Sequence, residues 1–188
     1  MKVLVYVGSP RKNGNTYKMS EVLKSILISK HIDSDFVYAP QVLHPCLHCG
    51  KCINSLCVIR DRWSQYIDKY NEYDGVIFMT PIYFFQFTAQ TKAFIDRLGA
   101  SPSSYWDNKI LALITSSGSS GIMGGNDILE ESIIRTCNFF DCNYAGCYNK
   151  VTNDEILETT EEDYQGILDI VETMEEIYNE ISEGGKET

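Results

Sequence analysis

The chain has 188 residues, 44% of them hydrophobic, and a formal net charge of −10. That length and apolar content suit one domain, residues 1–188, with a sizeable core, and argue against disorder; no apolar run approaches the roughly 20 residues that span a bilayer. The charge is uneven: residues 154–188 hold 13 acids and one base, residues 1–153 hold 15 bases and 13 acids. The acidity therefore reads as the solvated face of a C-terminal helix, and no basic footprint for nucleic acid is left. Met1–Val7 meets Gly8-Ser9-Pro10 after only five apolar residues and without a small-residue cleavage site, so it reads as a first strand, and the chain is expected in the cytoplasm. Seven cysteines, an odd count, argue against a disulfide framework.

In chain order, the spacing predicts a strand over Lys2–Val7 and a helix over Thr16–Lys30. That helix has Met19, Val22, Leu23, Ile26 and Leu27 on one face and Asn15 or Thr16 as its cap. A weaker strand follows at Asp35–Tyr38, then a loop with Pro40, Pro45 and a cysteine-rich stretch over 44–60. Arg62–Tyr70 reads as a helix, Gly75–Met79 as a buried strand, Ala89–Leu98 as a helix and Lys109–Thr115 as another buried strand. After a Gly/Ser-rich loop come a helix at Asp127–Phe139, a last strand at Tyr144–Val151 and a long helix at Glu161–Ser182. Five strands alternate with helices, and the runs at 75–79 and 110–114 lack alternation, as strands covered on both faces do. The expected fold is a doubly wound α/β sheet of five parallel strands with helices on both faces.

The first strand feeds Gly8-Ser9-Pro10-Arg11-Lys12-Asn13-Gly14-Asn15-Thr16, and a helix starts at its end. Such a loop aims free backbone N–H groups and the positive helix end at one point, which suits a phosphate. Ser9, Asn15 and Thr16 add side-chain donors, and Arg11 or Lys12 adds charge. Five residues separate Gly8 from Gly14, and Asn15 stands where a Walker loop has Lys; the G-x-G-x-x-G fingerprint is absent as well. What remains suits a single terminal phosphate, as in FMN, or a polar loop with no ligand.

Thr80–Phe87 carries four aromatics within five residues after the third strand. In an open parallel sheet, ligands bind beyond the C-terminal strand ends at the topological switch point. An aromatic loop there can pack on a flat ring, or bury itself at a subunit contact.

Gly8–Thr16 and Thr80–Leu98, the latter including Thr91-Lys92-Ala93-Phe94-Ile95-Asp96-Arg97, together resemble the NADPH-dependent FMN reductase family, specifically its iron–sulfur flavoprotein branch. The resemblance covers about residues 1–150. It implies a flavodoxin-like sheet of order 2-1-3-4-5. It also implies an FMN phosphate held by Ser9, Arg11, Asn15 and Thr16, an isoalloxazine lined by Pro81, Ile82, Tyr83 and Phe84, and a pyrimidine side met by Ser116, Ser117 and Gly118. Asp96 and Arg97 read as structural, and no side chain stands out as a catalytic base or nucleophile, since FMN carries the chemistry.

Cys46, Cys49, Cys52 and Cys57 form C-x₂-C-x₂-C-x₄-C. Thiolates this close can converge on an iron–sulfur cluster or zinc, or stay as free or redox-active thiols. The spacing resembles the cluster motif of the iron–sulfur flavoproteins, which implies a [4Fe–4S] site. Arg62, after Asp61, departs from that family, which often has a second acid there. By topology the four cysteines are expected in one loop over the sheet's C-terminal edge, with Gly50 at its bend and the flavin nearby. Cys137, Cys142 and Cys147 read as core, and His44 and His48 as loop residues.

The expected function is an FMN-dependent oxidoreductase that takes electrons from NAD(P)H and gives them to a small-molecule or protein acceptor. The alternatives are a pure electron carrier partnered with ferredoxin, and a zinc-stabilised module. Phe84, Phe85 and Phe87 exceed what one flavin face covers, which points to a homodimer or homotetramer.

Overall fold

The computed structural model describes residues 1–39, 44–52 and 57–184. Strands β1 (Lys2–Val7), β2 (Asp33–Tyr38), β3 (Gly75–Tyr83), β5 (Ile110–Ser117) and β6 (Asn143–Val151) form a parallel sheet in the order β2-β1-β3-β5-β6. A sixth strand, β4 (Gln86–Phe87), pairs antiparallel with the end of β3. The doubly wound order is the one expected, and the added strand is the difference.

The side-chain period of two explains the continuous apolar runs. Leu4, Tyr6, Val76, Phe78, Leu111 and Leu113 pack on one face against α2 (Ser64–Asp68), α3 (Ala89–Leu98) and α4 (Asn126–Phe140). Val3, Val5, Val7, Ile77, Met79, Ala112 and Ile114 pack on the other against α1 (Asn15–Ser29) and α5 (Glu161–Gly184). With both faces covered, every position must be apolar. In α1, Met19, Leu23, Ile26 and Leu27 are buried at three-to-four spacing, with Val22 at the margin. Fully burying one such Leu or Ile contributes about 1.5–3 kcal/mol.

Three local expectations are corrected. The helix read over Arg62–Tyr70 is only Ser64–Asp68, followed by a 3₁₀ turn at Tyr70–Glu72. Helix α1 is capped by Gly14 in an extended conformation with no side-chain cap bond, rather than by Asn15 or Thr16. Thr80–Phe87 is no loop: β3 runs on to Tyr83, turns at Phe84-Phe85 and returns as β4. Among the described residues, no helix is long and apolar enough to cross a membrane.

Candidate cofactor site

The parallel register brings the C-terminal ends of the strands level. Val7 pairs with Tyr38 and with Met79, Pro81 with Ser116, and Ser117 with Val151. The loops leaving β1, β3, β5 and β6 therefore meet at one edge. They enclose a cavity of about 310 Å³, lined by Ser9, Arg11 and Gly14–Thr16, by Pro81–Tyr83, by Ser116–Gly118, and by Thr152 and 154–156.

Of the residues assigned to FMN from sequence, all but Phe84 line this cavity. Phe84 sits at the hairpin tip, 96% exposed, because the chain is strand rather than loop up to Tyr83. Asn15 lies at the wall, but both ends of its amide are engaged: Nδ2 donates to the Glu155 carbonyl at 2.7 Å, and Oδ1 accepts from Leu157 N–H at 2.8 Å. Its side chain thus ties the 155–157 segment to the start of α1, and its backbone N–H is what it presents at the helix end. The first N–H groups of a helix have no intrahelical acceptor, and no side-chain cap takes them here. Those of Asn15 and Thr16 stand free for an anion, while Tyr17 and Lys18 donate to the Gly14 carbonyl; beside them lie Arg11 and the Ser9 hydroxyl, which accepts from Arg11 N–H at 3.2 Å and donates to the Arg11 carbonyl at 3.3 Å.

The two phosphate-side and ring-side arms are joined by buried hydroxyls. Thr16 and Ser116 share a hydrogen bond of 3.0 Å. A chain of three fully buried threonines runs behind the cavity. Thr88 donates to the Gly8 carbonyl at 2.8 Å, Thr88 and Thr91 lie 2.8 Å apart, Thr91 donates to Thr80 at 3.1 Å, and Thr80 donates to the Pro81 carbonyl at 2.9 Å. The start of the loop after β1 is thereby held to the end of β3 and to the start of α3. Gly8 is required for this close approach, since a Cβ there would stand 1.8 Å from Thr91 Oγ1.

Thr152, Asp154, Glu155 and Ile156 escaped the reading of the sequence. Their signal was topological: the loop after the last parallel strand must leave the same edge as the others. A Cβ on Gly118 would meet Asp154 Oδ1 at 2.4 Å, so this loop closes directly on the segment after β5. Lys150 and Asp163 anchor its base as a buried ion pair, with Lys150 Nζ also donating to the Glu158 carbonyl at 2.9 Å.

With the site in view, its relatives can be compared. The family model for NADPH-dependent FMN reductase matches residues 1–134. The chain belongs to the NADPH-dependent FMN reductase family. It is 34% identical over 99 residues to an iron–sulfur flavoprotein of Methanocaldococcus jannaschii, covering 52% of this chain and 51% of that protein. It is 31% identical over 137 residues to the iron–sulfur flavoprotein of Methanosarcina thermophila, covering 71% of each. The first of these matches spans about half the length of the relative. A flavodoxin from the domain Archaea superposes with a TM-score of 0.57 at 17% identity, over 95% of this chain and 99% of that one, which shows the flavodoxin-like fold.

The cysteines of this family member are dispersed. Cys46 and Cys49 are exposed, Cys52 and Cys57 half-buried, and all are free thiols. His48 N–H lies 3.4 Å from Cys46 Sγ, and Gly50 takes a left-handed φ of 69°, the bend expected of it. Among the described residues, no three His, Cys, Asp or Glu side chains stand together as a metal-holding group. Cys137 is buried and Cys142 and Cys147 half-buried, as core residues. Burial above all pushes their thiols up, to about 12, 11 and 12, and neighbouring negative groups add to this, so none is a ready nucleophile.

Proposed function

We propose that this flavoprotein oxidoreductase binds FMN in the cavity at the sheet edge and uses it to pass electrons from NAD(P)H to a small-molecule or protein acceptor. The observation that carries the reading is the convergence of four strand ends and the segments next to them on one cavity, with an uncapped helix end and Arg11 at one side and Ile82, Tyr83 and Ser116–Gly118 at the other. The residues present fit a phosphorylated flavin: free N–H groups and a cation suit the phosphate, and a flat apolar strand end suits the ring.

FMN supplies the electron-transfer chemistry when bound. Ser9, Arg11 and the N–H groups of Asn15 and Thr16 would hold the phosphate. Pro81, Ile82 and Tyr83 would orient the ring and keep water from one face. Ser116, Ser117 and Gly118 would meet its polar edge, with the threonine chain fixing the distance between the two arms. Cys46, Cys49, Cys52 and Cys57 offer the soft thiolate donors that suit a [4Fe–4S] cluster, once the loop draws them together. The names of the relatives support that occupant.

The relatives' names mention iron and sulfur but no substrate, which leads to a second reading: an iron–sulfur flavoprotein electron carrier without a substrate of its own, for which ferredoxin is the partner expected from sequence. Anaerobic mixing with NADH or NADPH, followed by the flavin absorbance, separates the two. Bleaching on the seconds timescale supports the oxidoreductase; bleaching only by reduced ferredoxin supports the carrier.

A further inference from the structure

The segment that follows β6 forms one wall of the flavin cavity and is fixed at both ends. At its start, Thr152 donates twice to the Ser117 carbonyl, from its N–H at 2.8 Å and from its buried hydroxyl at 3.0 Å. At its end, the Asn15 amide holds the Glu155 carbonyl and the Leu157 N–H, and Lys150 donates to the Glu158 carbonyl at 2.9 Å. Between these anchors the chain makes one tight turn. Glu155 N–H donates to the Thr152 carbonyl at 2.9 Å, and Asn153 and Asp154 both take left-handed φ, 48° and 62°. Asn and Asp tolerate that region better than other non-glycine residues.

The turn sets the Asp154 carboxylate against Gly118. A Cβ on Gly118 would meet Oδ1 at 2.4 Å and Oδ2 at 3.3 Å, so both oxygens lie on the side of the cavity lined by Ser116–Gly118. The serine groups there are already engaged. The Ser117 hydroxyl donates to the Ser119 carbonyl at 2.7 Å and accepts from the Asn149 amide at 3.0 Å. The Ser117 carbonyl takes both bonds from Thr152, and the Ser116 hydroxyl is shared with Thr16. Asp154, by contrast, has no ion pair and no side-chain hydrogen bond with any described residue. The cation at the cavity wall, Arg11, belongs to the loop after β1.

A free anionic acceptor thus stands on the side that would meet the polar edge of the ring. That edge carries an N–H between two carbonyls, and a carboxylate is a charge-assisted acceptor for it. Reduction adds negative charge to the same part of the ring, and a fixed anion nearby opposes that charge. We propose that Asp154 holds the ring N–H and favours oxidised over reduced flavin, which makes the bound FMN a stronger reductant. The inference rests on the FMN reading above and adds to it the residue that tunes the cofactor.

The test uses the full chain loaded with FMN, with Asp154→Asn and Asp154→Gly, both suited to a left-handed turn position, and with Glu155→Gln as a charge control. Affinities are measured for oxidised FMN, for dithionite-reduced FMN and for N3-methyl-FMN, in which the N–H is blocked. Asp154→Asn should raise the ratio of reduced to oxidised affinity about tenfold, a rise of about 30 mV in the two-electron midpoint potential. Glu155→Gln removes the same charge one residue away and should shift the potential less. The wild type should bind N3-methyl-FMN about tenfold more weakly than FMN, and Asp154→Gly should bind the two alike. An unchanged potential in Asp154→Asn, an equal shift in Glu155→Gln, or a preference for FMN over the methylated flavin that is absent from the wild type or persists in Asp154→Gly overturns the inference and leaves the flavin site standing. A wild type that binds no FMN removes the flavin reading itself and the inference with it.

Discussion

Arg97 grips Asp61 with both terminal nitrogens, Nη1 at 2.6 Å from Oδ2 and Nη2 at 3.2 Å from Oδ1. Arg97 is fully buried on α3, while Asp61 lies just beyond the cysteine-bearing loop. Nη2 also donates to the Ile59 carbonyl at 3.2 Å, and the guanidinium lies over the Trp63 ring at 5.4 Å. One side chain thus pins the whole 59–63 segment to the helix that follows the hairpin. Removing one partner of a buried ion pair leaves the other charge uncompensated, so Asp61→Asn should cost about 3 kcal/mol. A lower urea midpoint at unchanged slope would show it; a midpoint equal to wild type would refute it.

The same pair predicts an acid limb. Burial raises the Asp61 pKa, but the Arg97 hydrogen bond and charge and the Trp63 N–H outweigh it, and the net shift is downward. Asp163 behaves alike: burial is opposed by Lys150, by the Thr160 N–H and hydroxyl and by the Tyr148 hydroxyl, and its pKa also falls below the ordinary value. A carboxylate with a depressed folded pKa stabilises fully above its unfolded pKa of about 4 and loses that contribution as pH falls through the folded value. Stability should therefore hold at neutral pH and drop below about pH 4. Lys150→Met should flatten this acid limb, because Asp163 then lacks the cation that depresses it. An unchanged slope of unfolding free energy against pH in that variant would contradict the assignment.

Cofactor affinity should respond to hydroxyls at two depths. Thr16→Val keeps the backbone N–H at the phosphate end but breaks the 3.0 Å bond to Ser116 that joins the two arms; losing that neutral bond should weaken FMN by about 1 kcal/mol. Thr91→Val leaves every cavity-lining side chain in place and cuts the chain between Gly8 and Pro81. It should weaken FMN by about 1 kcal/mol, and Thr91→Ser, which keeps the hydroxyl, should restore it. Equal affinity in wild type and Thr91→Val, by fluorescence quenching of the flavin, would mean the chain does not position the site.

The sheet order, most element bounds and three of the four loops around the cavity were legible in the sequence, because they rest on hydrophobic period and on strand–loop–helix order. What escaped it has identifiable causes. The hairpin at 82–87 lacked the Asn-Gly or Asp-Gly that marks a two-residue turn; instead Phe84 and Phe85 both take positive φ, 54° and 62°, against their intrinsic preference. The cap of α1 was misplaced because Asn15 looks like a cap in isolation, whereas its amide is taken by Glu155 and Leu157, 140 and 142 residues away. Long-range partners of that kind leave no local trace.

That turn carries a prediction of its own. Left-handed geometry costs a non-glycine residue roughly 1–2 kcal/mol, and Phe84 is 96% exposed, with its ring against the edge of Phe85 at a centroid distance of 6.5 Å. Contact of the tip with a second copy of the chain would cover these exposed rings. Phe84→Asn with Phe85→Gly, which suits the turn, should raise chain stability by about 1 kcal/mol or more while lowering self-association. Sedimentation of the wild type at micromolar concentration should show a dimer or larger. A wild-type monomer would sink the contact, whatever the stability of the variant.

The cysteines give the last and sharpest outcome. Cys46, Cys49 and Cys52 share one short stretch bent at Gly50, and Cys57 follows in the sequence. Their exposure costs little as thiols, yet four exposed or half-buried thiols gain little packing energy either. Convergence on a metal centre would supply what packing does not, since ligand binding stabilises the form that presents the site. Protein purified without oxygen should hold iron and acid-labile sulfide in the proportions of one [4Fe–4S] cluster per chain. Cys49→Ser should lose most of both while retaining FMN, because no cysteine lines the flavin cavity. A thermal midpoint that falls with iron loss in the wild type, but not on chelation of the Cys49→Ser variant, would tie the cluster to the order of the loop. Flavin without iron in anaerobic wild type would remove the cluster and leave an FMN oxidoreductase whose loop cysteines are plain thiols.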